Sequence, residues 1–259
     1  MSLPLGRLLP ASLRPLITAA AVFAALPLCV ALSAPAAALT DPERKEIQTL
    51  IRETLRANPE IVLEAIQALR SREEANDERG RQTVLKEKRS QIFTDPAAPV
   101  IGNPKGDVTL VEFFDYNCGY CKAVFNDIQT LIKADGNLRV VFKELPILSP
   151  SSSMAAQAAL AAHRQNKYLE LHLALMGHRG ALGEDTVYRL AGLVGLDVDK
   201  LKADMATPAI KDAIEANSKL AEALSIRGTP AFVIGDTVVP GAVDLDALKK
   251  LIAQARKKS

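Results

Sequence analysis

Val111-Glu112-Phe113-Phe114-Asp115-Tyr116-Asn117-Cys118-Gly119-Tyr120-Cys121-Lys122 is the stretch that decides how this chain folds. It continues an apolar run, Val108 to Phe114, that reads as a buried strand with one misfit, Glu112. Ala123 to Lys133 then carries a helical pattern. The Cys-X-X-Cys therefore stands where a strand ends and a helix opens. The unpaired N–H groups of a first helical turn, together with the helix dipole, favour negative charge. That setting stabilises a thiolate on Cys118. Cys121 lies one turn further on, within reach, and can resolve a mixed disulfide formed at Cys118. Cys118 is the candidate nucleophile, Cys121 the candidate resolving thiol, and Gly119 and Tyr120 are the dipeptide between them.

The rest of the cysteine inventory supports a redox role. The 259 residues hold three cysteines, and the third, Cys29, falls in an N-terminal segment of different character. Arg7 and Arg14 are the only charges before Asp41, Leu16 to Leu32 is almost wholly apolar, and Ala36-Ala37-Ala38 offers small residues for cleavage. These features predict a secretory signal over residues 1–38 rather than a retained anchor, with Pro27 inside the apolar stretch favouring removal. Leu28 stands before Cys29 where a lipoprotein signal carries a small residue, so Cys29 reads as part of the signal. Cleavage leaves only Cys118 and Cys121, closing a loop too short for a bridge to stabilise much. It also leaves 30 basic and 30 acidic residues, from 32 and 30 in the full chain. A neutral chain without Trp gives no footing for nucleic acid or an anionic membrane. The expected location is the periplasm.

Residues 39–93 read as a helical segment. Thr40 and Glu43 suit a capping box, and Pro42 a first turn. Ile47, Leu50, Ile51, Thr54 and Leu55 fall on one face. Asn58-Pro59 interrupts, with Asn58 as the expected cap of a second helix whose stripe is Ile61, Val62, Ala65, Ile66 and Leu69. Eight charges crowd Arg70 to Arg81, and Gly80 is expected to end that run, which reads as a spacer. Self-association of the apolar faces is the favoured use of this segment. Thr94 to Gly106, rich in Pro and Gly, marks the expected boundary of a catalytic domain over 94–259. Within it a strand at Leu138 to Leu145 precedes a helical block over about 151–226. A hairpin follows around Gly235-Asp236, then a last helix from Leu245 to Ala255. This order predicts an α/β fold, a mixed sheet with helices packed on it.

A structural zinc site needs about four ligands. His163, His172 and His178 are far along the chain, so no metal is expected; His172 in particular reads as a packed or surface histidine. The strand and motif from Val111 to Cys121 resemble the active site of the DsbA-like branch of the thioredoxin fold, and a helical block between Leu145 and Thr229 fits that branch. Ile51 to Leu69 resembles the N-terminal oligomerisation segment of the suppressor-of-copper-sensitivity (ScsC) type of disulfide protein. The resemblance implies a thioredoxin fold with a helical insertion behind an N-terminal helical stalk. It implies that Thr229-Pro230, after Arg227-Gly228, is a cis-proline loop facing the cysteines and pairing with substrate backbone. It places Glu112, six residues before Cys118, as a buried acid that takes the proton of Cys121, with Lys143 as its conjectured partner.

The Gly119-Tyr120 pair, Thr before Pro230 and an N-terminal oligomerisation segment lean toward the family's isomerases or reductases rather than its dithiol oxidases. The implied partners are cysteine-containing exported proteins, a membrane redox partner that resets the pair, and further copies of the chain through residues 39–93. No cofactor is implied beyond the Cys118–Cys121 disulfide. Dithiol oxidation, or copper-stress binding of Cu(I) by the two thiolates, are the alternatives.

Overall fold

The structure, a computed structural model, describes residues 39–258. The expected signal segment over 1–38, with Cys29, lies outside the described residues. Packing divides the chain into two units that meet between Pro59 and Glu60.

Among its described residues the first unit contains one helix, α1 (Asp41–Ala57), opened by Thr40, whose N–H donates to Glu43 Oε2 at 2.8 Å. Ile47, Leu50, Ile51 and Leu55 are all exposed on it. Asn58 closes this helix: its Nδ2 donates to Thr54 O at 3.0 Å. The residue expected to cap the next helix is thus engaged by the preceding one.

The second unit is a five-stranded sheet covered by helices on both faces. β2 (Val108–Phe114) lies at its centre, parallel to β3 (Leu138–Glu144) and antiparallel to β4 (Ala231–Ile234). β1 (Val100–Gly102) edges β3 and β5 (Thr237–Pro240) edges β4, giving the order β1-β3-β2-β4-β5. Central strands buried on both faces must be apolar throughout, and six of the seven residues of β2 are buried. Successive side chains alternate between faces. Leu110, Glu112 and Phe114 point one way with Val140, Phe142 and Glu144; Val111 and Phe113 point the other way with Val141 and Lys143.

On the first face pack α4 (Gly119–Ala134), α10 (Leu245–Arg256) and most of a helical insertion. That insertion comprises α5 (Pro150–His163), α6 (Tyr168–Gly177), α7 (Glu184–Leu193), α8 (Val198–Met205) and α9 (Pro208–Ala223). The second face is covered by α9 and by the end of α2 (Glu60–Glu87) with α3 (Arg89–Phe93). Gly80 does not end the charged run: α2 continues through it, with Ile61, Val62, Ile66 and Leu69 exposed. Leu85, Ile92 and Phe93 are buried against Val111, Phe113 and Val141. Residues up to Phe93, grouped by sequence with the helical segment, therefore contribute to the core of the sheet. The turn between β4 and β5 is made by Gly235 at φ 58°, where the left-handed backbone favours glycine. Among the described residues no helix is long and apolar enough to cross a membrane.

Candidate active site

Cys118 is the N-cap of α4, with extended backbone (φ −76°, ψ 117°), and Lys122 N donates to its carbonyl at 3.1 Å. Its Sγ sits 3.2 Å from Thr229 O, across from the loop that leads into β4. The Thr229–Pro230 peptide is cis. Cys118 and the Thr229–Pro230 peptide, distant in sequence, thus meet, with the cis bond and the facing position that the resemblance implied. Tyr120 projects from the first turn, 71% exposed. Cys121 is wholly buried one turn behind; both cysteines are unbonded thiols. Burial pushes the Cys121 thiol up, and the negative potential of Glu112 adds to that.

Glu112 lies on the face of β2 that packs under α4. Burial alone pushes its carboxyl up to about 8, and its Oε1 has no protein hydrogen-bond partner. A buried acid with an open oxygen, electrostatically coupled to Cys121, is suited to receive a proton from that thiol. Lys143 is not its partner. Lys143 points to the opposite face of the sheet and binds Asp95 Oδ2 at 2.6 Å. The period-two alternation that separates residues 112 and 143 rules the pairing out.

Several residues missed in the sequence hold the loop before Cys118. Asp115 accepts the N–H groups of Asn117 at 2.8 Å and Leu148 at 3.1 Å, while its carbonyl accepts Cys118 N at 3.1 Å. Asn117 Nδ2 donates to the hydroxyls of Ser151 and Ser152, both at 3.0 Å, at the start of α5. Lys122 Nζ donates to three carbonyls at the end of α6: Leu175 (3.1 Å), Met176 (3.2 Å) and His178 (2.7 Å). The helical insertion is therefore fastened to both sides of the cysteine pair. Asp115-Tyr116-Asn117, a polar turn directly after an apolar strand, was the one local sign of this; the serines and the α6 carbonyls carry none. His172, left between packed and surface by the sequence, is packed, with its ring 4.5 Å from that of Phe142. Among the described residues no group of three or more His, Cys, Asp or Glu side chains is placed to hold a metal ion.

Residues 109–253 match the DSBA-like thioredoxin domain. The chain belongs to this family. Residues 43–76 of this DSBA-like chain match a second family, the copper resistance protein ScsC N-terminal domain. A thioredoxin-like oxidoreductase from Silicibacter pomeroyi is 48% identical, with a TM-score of 0.65, covering 66% of this chain and 99% of that one. Proteus mirabilis ScsC, in a transitional conformation, is 33% identical, with a TM-score of 0.64, covering 85% of this chain and 100% of that one. Among curated sequences, the Na(+)/H(+) antiporter NhaA 3 of Salinispora tropica is 29% identical over 167 residues, 63% of this chain and 26% of that protein. The DSBA-like chain thus spans about a quarter of the length of such curated relatives. The order of motifs matches a thioredoxin fold with a helical insertion, preceded by N-terminal helices, and joins a Cys-X-X-Cys pair to an ScsC-type N-terminal domain.

Proposed function

We propose that the chain is a thiol–disulfide oxidoreductase acting on cysteines of exported proteins, and within that class a disulfide isomerase or reductase. The observation that carries this reading is the unequal placing of the two thiols. Cys118 keeps 6% exposure at the head of α4 beside Thr229 and Pro230, whereas Cys121 is wholly buried one turn behind and burial pushes its thiol up. The Cys118 thiolate attacks one sulfur of a client disulfide, forming a mixed disulfide and releasing the client's other thiolate. That thiolate can attack a second client disulfide, and the thiolate released there attacks the client sulfur of the mixed disulfide and expels the Cys118 thiolate, which is isomerisation. Where it does not, Cys121 gives its proton to the ionised form of Glu112, which grows as pH rises toward about 8, and attacks Cys118 Sγ; the client sulfur leaves as a thiolate, the client is reduced and the Cys118–Cys121 disulfide remains. A resolving thiol that is slow to ionise lengthens the life of the mixed disulfide and so favours rearrangement.

A periplasmic location is supported by the expected signal over residues 1–38. Self-association is supported by the ScsC-type N-terminal match and by the exposed apolar residues of α1 and of the first half of α2. Joined copies would give one misfolded client several contacts. A membrane redox partner would return the pair to the dithiol.

Refolding of a scrambled, multi-disulfide client by the reduced protein tests the reading, with Cys118→Ala as the inactive control. The state of the pair trapped in cells distinguishes the directions. A mainly reduced pair fits isomerase or reductase, and a fully oxidised pair would establish the dithiol oxidase instead.

A further inference from the structure

Behind the cysteine loop lies a buried polar cluster that the exchange chemistry does not touch. Tyr116, two residues before Cys118, donates its hydroxyl proton to Glu144 Oε1 at 3.1 Å, and Tyr168 donates to the same oxygen at 3.0 Å. Tyr116 has one proton to give, so His172 Nδ1, 3.0 Å from the Tyr116 oxygen, carries the hydrogen of that contact. Burial holds His172 neutral by pushing its imidazole down to about 3. Tyr168 and His172 stack on α6 with ring centroids 5.6 Å apart. Asn217 of α9 donates to Glu144 O at 3.2 Å. The last turn of chain before Cys118, the end of β3 and α6 are thereby joined through one carboxylate oxygen, and α9 joins them at the Glu144 backbone carbonyl.

The two redox forms depend on such a cluster unequally. In the disulfide a covalent bond fixes Cys118 against Cys121. In the dithiol only non-covalent contacts keep Cys118 at the head of α4 and its Sγ against Thr229 O. A group that fixes the preceding loop therefore adds more to the reduced form than to the oxidised one. We infer that Tyr116 and Glu144 are positioning residues that stabilise the dithiol over the disulfide, so that their hydrogen bond makes the pair more oxidising. The inference rests on the thiol–disulfide reading above.

The equilibrium is Cys118/Cys121 dithiol plus oxidised glutathione against Cys118–Cys121 disulfide plus two reduced glutathiones, read by alkylation of free thiols across a glutathione series. Tyr116→Phe keeps the ring and removes the hydroxyl. Glu144→Gln keeps an acceptor oxygen for both phenols, and Glu144→Leu removes it. Tyr116→Phe and Glu144→Leu are each expected to shift the constant toward disulfide by about three- to tenfold, the scale of one net hydrogen bond, or about 15–30 mV. Glu144→Gln is expected within about twofold of the unaltered protein, and the Tyr116→Phe/Glu144→Leu double variant no further shifted than the larger single, because the two act through one contact.

An unshifted Tyr116→Phe overturns the inference even where Glu144→Leu fails to fold. So does a Glu144→Gln shift as large as that of Glu144→Leu. Failure of the unaltered pair to equilibrate with glutathione at all would instead overturn the thiol–disulfide reading, and the inference with it.

Discussion

Glu112 is one of two buried carboxyls on the same face of adjacent strands, each with one oxygen unpaired. Its ordinary value is near 4.5, and burial moves it to about 8. Between these values the unfolded chain releases the proton and the folded chain keeps it, so stability falls as pH rises through the window and levels above 8. Glu112→Gln removes that slope. Chemical denaturation at pH 8.5 should find the variant more stable than the unaltered protein by up to about 4 kcal/mol, with the gap closing toward pH 4.5. The same substitution should slow resolution of a Cys118 mixed disulfide about tenfold or more, measured by stopped quench, and abolish the rise in that rate across pH 8. Cys118, Cys121 and Glu112 were legible in the sequence because a strand, a turn and a helix carry them in one short run. Tyr116, Glu144 and His172 were not, since their contacts span 28 and 56 residues and follow only from the register of β2 on β3 and the seating of α6.

At the scale of elements, the periodicities of α4, the insertion and α10 were plain, and the hairpin was placed by Gly235. β1 was hidden because three residues among prolines and glycines carry no period of their own; the strand exists because Val100, Ile101 and Gly102 find the open edge of β3. The reach of α2 was hidden for a different reason. Its charges are satisfied locally, as in Arg81 with Glu78 at 2.9 Å, so a run that reads as a spacer persists as helix. The consequence is testable: Leu85, Ile92 and Phe93 belong to the core beneath the sheet. A chain beginning at residue 94 should melt well below one beginning at residue 78. Ile92→Ala alone should cost about 2–5 kcal/mol in denaturant titrations; no measurable loss would place α3 outside the core.

At the scale of the whole molecule, the apolar residues left in solvent among the described residues are concentrated in α1 and the first half of α2. Light scattering of residues 39–259 should give a mass above one chain, and Leu50→Asp with Ile51→Asp should return it to one chain while leaving the glutathione equilibrium of the cysteine pair in place. A monomeric unaltered protein would contradict the proposed self-association. The number of copies was not legible, because a stripe of apolar residues records that a face is covered without recording by how many neighbours. Thiol exchange itself, begun by Cys118 and ended by Cys121, is tested most directly by incubating each single variant with a disulfide-bonded client peptide and mapping the covalent adduct by mass spectrometry. Cys121→Ala should accumulate a stable mixed disulfide on Cys118, and Cys118→Ala should form essentially none; equal adduct formation on Cys121 in Cys118→Ala would contradict the assignment of the two thiols.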